Sequence, residues 1–256
     1  MVGMNGPRIN ANPAAGDSVI PPVNGGPQGG FIGVLMLDTK FPRPPGDIGH
    51  PDSLGVPVRH TVVRGAWPSS VVASAGTLRA SGLPQAFLDS ARELEQLGAW
   101  AITTSCGFLV LLQRELQDAL TIPVVTSSLL ELPRLLEDEA QVGVLTISAA
   151  HLGAEHLLAG GVPPGRLHDV IVQGVDPAGE FARAILGNLE AMDFALAQAD
   201  VIDAARQLQM RAPGLRTVVL ECTNMPPYAQ AISAATGWRV RSLLDHFSMG
   251  SPSPVK

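Results

Sequence analysis

Short apolar runs alternate along the chain with longer stretches in which apolar residues recur every three or four positions. FIGVLMLDT (residues 31–39) and QVGVLTISA (residues 141–149) read as buried strands, because each run is short, rich in Val, Leu and Ile, and ended by polar residues. FLDSARELEQ (residues 87–96) and VIDAARQLQM (residues 201–210) place apolar residues on one face and charges on the other, the pattern of an amphipathic helix. Each helix turns through glycine, at LGAW and at RAPGLR, into a further strand, AWAITTS or RTVVLE. A cysteine ends each of these strands. Cys106 and Cys222 are the only two in 256 residues.

The matching goes further than pattern. Gly33-Val34-Leu35 recurs as Gly143-Val144-Leu145, an offset of 110 residues. Asp89, Ala91, Arg92 and Leu94 recur as Asp203, Ala205, Arg206 and Leu208 at an offset of 114, and the cysteines lie 116 apart. Landmarks in the same order at a nearly constant offset indicate an internally duplicated α/β unit, with a period too long for a solenoid. Strands alternating with helices predict parallel sheets flanked by helices. The expected fold is therefore α/β, with two pseudo-symmetric lobes and the active site between them. The first lobe spans residues 31–126 and is completed by residues 237–250; the second spans residues 127–236.

Composition narrows the class. The chain is 46% apolar and 16% charged, enough apolar residue for a sizeable core. No apolar run approaches the roughly 18–20 residues that cross a bilayer. The net charge of −6 is spread along the chain, which argues against nucleic acid, since phosphate binding needs clustered Lys and Arg. Residues 1–30 are Gly, Pro, Asn and Ala with almost no charge. They lack the basic start and apolar stretch of a secretory signal and read as a disordered or loosely packed lead; residues 251–256 read as a tail. Two cysteines are too few for a disulfide scaffold, and no Cys/His spacing resembles a zinc site. The expected setting is a reducing cytoplasm, without metal or cofactor.

Open parallel sheets bind ligands at the carboxyl ends of their strands, which is where both cysteines fall. Two lobes facing each other would bring one thiol from each to a shared cleft. A thiolate on one face then takes a proton from carbon and a thiol on the other returns one. A free thiol is mostly protonated at neutral pH. Both sulfurs are expected near helix N-termini, whose N–H groups favour an anion and also hold a carboxylate. Gly107 would let the backbone approach a ligand closely.

TTSCGF and LECTNMPPYA, with GVLMLDT and PVVTSS in support, resemble the aspartate/glutamate racemase superfamily, which includes amino-acid and hydantoin racemases, arylmalonate decarboxylases and maleate isomerases. The resemblance runs over residues 31–247. It implies two α/β lobes, a small carboxylate or amino-acid-derived substrate, a homodimer, and Cys106 and Cys222 as paired acid and base. It further implies substrate contacts from Asp38 and Thr39 at the end of the first strand and from Thr223; Gly107, Phe108 and Asn224 are added as candidates from their places beside the sulfurs. Glutamate racemases carry Asn-Thr after the first cysteine and Thr-His after the second, whereas this chain has Gly107-Phe108 and Thr223-Asn224. Retention of both cysteines favours a cofactor-independent racemase or epimerase, an isomerase. The alternatives are a decarboxylase or cis–trans isomerase of small dicarboxylates, or a ligand-binding protein without turnover.

Other polar residues carry two readings each. Arg43, in the Pro- and Gly-rich segment 40–53, is a candidate for a substrate carboxylate or part of a rigid connector. Thr126, Ser127 and Ser128 sit at another strand end, where hydroxyls bind a carboxylate or cap the next helix. Of Thr104 and Ser105, at most one faces the substrate. Glu221 is expected to turn away into a polar contact. His50 reads as a surface residue, and His151 is not included among the site residues.

Overall fold

The computed structural model describes residues 29–247; the expected lead before Gly29 and the tail lie outside the described residues. Eight strands form two four-stranded sheets. The first takes β1 (Phe31–Met36), β2 (Val58–Val62), β3 (Ala99–Thr104) and β4 (Val124–Val125), in the order β2-β1-β3-β4. The second takes β5 (Val142–Thr146), β6 (Val170–Gly174), β7 (Thr217–Leu220) and β8 (Arg239–Arg241), in the order β6-β5-β7-β8. Every pairing is parallel. The two sheets therefore share one topology. The central strands are buried nearly end to end, as strands covered on both faces must be.

Helices cover the sheets. In the first lobe they are α1 (Pro68–Val71), α2 (Ala75–Ala80), α3 (Leu83–Gln96) and α4 (Gln113–Ala119). After the crossover come α5 (Leu132–Asp138), α6 (Ala154–Ala159), α7 (Glu180–Leu186), α8 (Phe194–Arg211) and α9 (Ala229–Thr236).

The repeat has a packing cause. A β-carbon on Gly33 would stand 2.9 Å from Leu94 of α3, and one on Gly143 would stand 3.0 Å from Leu208 of α8. The matched glycines of β1 and β5 thus make room for the matched leucines of the helices laid over them. Interiors are packed too tightly to absorb even a methyl at such points.

One element of the expected layout is corrected. The terminal piece does not complete the first lobe; it supplies β8, which pairs with β7 through Val218 and Val240. α9 ends at Gly237 in the left-handed region (φ 75°), a helix stop that only a residue without a β-carbon adopts cheaply. The chain there turns back at once onto the open edge of β7.

A clasp joins the lobes. Asn188 (φ 51°) is the one non-glycine in the left-handed region among the described residues, a conformation asparagine tolerates. Its side chain accepts from the Lys40 amide at 2.7 Å and donates to the Asp38 carbonyl at 3.2 Å.

Candidate active site

The ends of the four central strands converge. Leu37 follows β1, Ser105 to Phe108 follow β3, Ile147 follows β5, and Glu221 to Asn224 follow β7; together they wall a narrow cleft. The remaining wall is apolar: Phe41 from the loop after β1, Pro68 and Val72 from α1 and its cap, and Ile185 and Leu186 from α7. In each lobe the crevice opens where the chain reverses the direction in which it adds strands, the place where open α/β sheets hold ligands.

Both sulfurs reach this cleft and both are buried, at 8% exposure for Cys106 and 6% for Cys222. Neither forms a disulfide. Cys106 caps a tight 3-10 turn (Gly107–Leu112) that runs on into α4, and the peptide N–H groups of Phe108 and Leu109 face its sulfur. Cys222 is followed by the pair Thr223-Asn224, and its next helical turn starts only at Pro226. The Cys222 thiol donates to Asn224 Oδ1 at 3.6 Å, while Asn224 Nδ2 donates to Asp47 Oδ2 at 2.6 Å. Asp47 is 1% exposed and also accepts from Arg43 Nη1 at 2.7 Å. The carboxylate fixes which end of the amide meets the sulfur, and the amide oxygen holds Cys222 as a thiol.

The expected lowering of the thiols by helix termini does not occur. Burial pushes Cys106 up to about 12 and the nearby Glu221 adds to the rise; the Phe108 and Leu109 N–H groups and the charge of Arg43 pull weakly the other way. Burial, then Glu221, also raises Cys222 well above the usual thiol range, against one N–H group, that of Asn224. Removing an anion from water outweighs the pull of a few peptide dipoles.

Glu221 itself is a second correction. It does not turn away from the cleft. Its backbone N–H still donates to Leu145, but the carboxyl folds over the end of β5, where Oε2 accepts from Thr146 Oγ1 at 2.7 Å. The residue is fully buried and Oε1 has no hydrogen-bond partner. Burial pushes this carboxyl up to about 8. Gly107 is shaped to it: a β-carbon there would run into the Glu221 carbonyl and Oε1 and stand 3.0 Å from Cδ. The close approach foreseen at Gly107 is thus made by Glu221, across the lobe junction.

Of the residues singled out from sequence, Cys106, Gly107, Phe108, Cys222, Thr223 and Asn224 line the cleft. Thr223 Oγ1 ties the lobes by donating to the Ser105 carbonyl at 2.7 Å. Five others are not on the wall, because neighbours in the protein occupy their polar groups. Asp38 accepts from the Gly65 amide. Thr39 accepts from Arg43 Nη2 at 2.9 Å, and the Arg43 guanidinium lies 4.5 Å over the Phe41 ring. Thr126 donates to Gln113, and Ser127 caps the short turn Ser128–Glu131. β4, which precedes Thr126, is the edge strand, so its end is one strand too far from the cleft. Asp47 was missed: its segment, GDIGHPDS, reads as an ordinary loop, and only the Arg43 spacing of four residues hinted at a pair. Among the described residues no group of His, Cys, Asp and Glu is placed to hold a metal ion, and no helix is long and apolar enough to cross a membrane.

Solved structures share this two-lobed arrangement. Unliganded arylmalonate decarboxylase superposes with a TM-score of 0.54 at 16% identity, over 89% of this chain and 95% of that one. A glutamate racemase from Bacillus anthracis gives 0.52 at 15% identity, over 86% and 79%. The fold is that of the aspartate/glutamate racemase superfamily. No family model matches the chain.

Within that fold the relatives by sequence point elsewhere than expected. A protein from Durusdinium sp. clade D named dimethylsulfoniopropionate lyase is 29% identical over 213 residues, covering 80% of this chain and 69% of the relative. Dimethylsulfoniopropionate lyase 7 of Emiliania huxleyi is 30% identical over 226 residues, covering 80% of this chain and 61% of the relative. The chain thus spans about two thirds of the length of these relatives. They are lyases, and this overturns the expectation of an amino-acid racemase or epimerase. The reason is that one fold carries several reactions: the solved structures that share it include proteins named as a racemase and as a decarboxylase, so the scaffold does not fix the chemistry.

Proposed function

We propose that this chain is a lyase that breaks the carbon–sulfur bond of a sulfonium propionate, of the dimethylsulfoniopropionate type, by β-elimination. The observation that carries the reading is the likeness to two proteins named for that activity, running over 80% of the chain.

The chemistry needs one base. A thiolate removes a proton from C2, next to the carboxylate. That electron pair becomes the C2–C3 double bond as the C3–S bond breaks, and the sulfonium sulfur leaves with the bonding pair as neutral dimethyl sulfide. Acrylate remains, and the proton passes from the thiol to solvent.

Cys106 is the better base. Two N–H groups and the charge of Arg43 favour its anion, whereas Cys222 has one such N–H group, donates to Asn224 and feels the negative charge of Asp47. Cys222 remains a thiol on the other wall. The apolar side chains around the sulfurs exclude water and receive the S-methyl groups. Two thiols that must stay reduced suit a cytoplasmic setting.

The purified chain, given dimethylsulfoniopropionate, is expected to release dimethyl sulfide, measured by headspace gas chromatography, and acrylate, measured by NMR, in equal amounts. Release no faster than that of Cys106→Ala would overturn the reading.

A further inference from the structure

A carboxyl group with no accessible surface and one neutral hydrogen-bond donor is costly to ionise. Glu221 is such a group. Thr146 serves Oε2, Oε1 has no partner, and no guanidinium or ammonium group approaches either oxygen. Arg43, whose charge reaches Cys106, is paired with Asp47. Yet the residue borders the cleft beside both cysteines, and Gly107 leaves the space that its carboxyl occupies. Leu37, Phe41, Val72, Phe108 and Ile147 form the surrounding wall, which suits methyl groups better than a hydrated ion.

We propose that Glu221 is the counter-ion for a permanently cationic group on the substrate, so that the cleft selects onium carboxylates over neutral molecules of the same shape. This rests on the lyase reading for the identity of the cation, the sulfonium centre. The protein supplies the anion and the apolar wall; the ligand supplies the missing positive charge. Binding also alters the sulfurs. Where Glu221 is charged, its field adds to burial in holding both thiols protonated, and a cation placed against it offsets that part of the rise.

The pH dependence follows from the groups around the carboxyl. Cys106 at the end of β3 and Cys222 beside it are the ionisable neighbours its charge reaches. Asp47 and Arg43 lie beyond them as a pair, and the Tyr228 phenol, pushed up to about 12, stays neutral. In the free protein the Glu221 carboxyl is protonated until about pH 8. Cation binding must displace that proton, so cation affinity rises with pH up to about 8 and then levels.

The test uses two acids of the same shape that differ in charge, 3-(trimethylammonio)propanoate and 4,4-dimethylpentanoate, with affinities measured by calorimetry from pH 6 to 9. Their ratio cancels whatever the carboxylate contributes. The wild type is expected to prefer the cationic acid, with a preference that grows about tenfold per pH unit below pH 8. Glu221→Gln, which keeps the shape and removes the charge, is expected to lose the preference and its pH dependence. An equal preference in Glu221→Gln, or no binding of either acid by the wild type, overturns the proposal. If the variant does not fold, judged by its thermal melt, the wild-type ratio alone decides, and a ratio constant across that range overturns it. Dimethyl sulfide release is measured separately. Cation preference without release removes the lyase reading and keeps the counter-ion; release without preference does the reverse.

Discussion

The two lobes repeat a scaffold but not a chemical environment. Cys106 and Cys222 follow matched strands in sheets of identical order, and each ends at the same cleft. Around Cys106 the chain closes at once into a 3-10 turn, so two N–H groups face the sulfur. Around Cys222 the chain stays open through Thr223 and Asn224, and the amide of Asn224, oriented by Asp47, accepts the thiol proton. Duplication therefore explains why there are two sulfurs. The three or four residues next to each explain why the sulfurs differ. A racemase needs interchangeable partners, whereas an elimination needs one base, and the asymmetry suits the second.

The most direct way to break the comparison is to remove each sulfur in turn. Cys106→Ala is expected to lower kcat for dimethyl sulfide release by about 10²–10⁴-fold, the usual worth of a general base, and Cys222→Ala by no more than about tenfold. Equal losses would show that the sulfurs are equivalent. Gly107→Ala places a methyl against Glu221 across the lobe junction; an overpacked contact of this kind costs about 1–3 kcal/mol, read as a lower urea midpoint. Asp47→Asn removes the charge that orients Asn224 and holds Arg43. It is expected to cost about 1.5–3 kcal/mol of stability, as hydrogen bonds to charged groups do, and to narrow the difference between the two cysteine variants.

The pH profile sharpens the same contrast. Both Cys106 and Glu221 are raised, to about 12 and about 8, and in the proposed reaction both lose a proton. Log kcat/KM is therefore expected to rise with pH, more steeply below pH 8 than above it, and Glu221→Gln is expected to remove the steeper part. The smallest effect should come from Asn188→Ala, which releases the clasp on Asp38 and Lys40. Since these bonds are partly exposed, stopped-flow binding is expected to change by less than tenfold.

Much of the fold was legible in the sequence because strand runs and helical periodicities report local burial, and because the repeat counted each element twice. The β1 and β5 glycines even marked where helices press on the sheet. β8 was misplaced because RVR carries no apolar pattern (its pairing is set by the turn at Gly237). The sulfurs were legible from their position at strand ends. Glu221 was not, since strand alternation ceases where β7 stops at Leu220 and the next side chain is free to turn over β5. Thr39 was placed at the substrate by the resemblance, and Arg43 by its charge as one of two readings, yet in three dimensions Arg43 binds Thr39 and Asp47. The reaction was the least legible, because one scaffold serves proteins named for different reactions.

The contact between Gly107 and Glu221 also bears on what the seam between the lobes can tolerate. A side chain at 107 would collide with the backbone of 221 as well as with its carboxyl. Turning the carboxyl aside would therefore not make room for it. The two strand ends meet main chain to main chain, and at such a point only a shift of backbone could relieve a larger residue. The junction is a hard stop, set by the path of the chain rather than by the choice of acid.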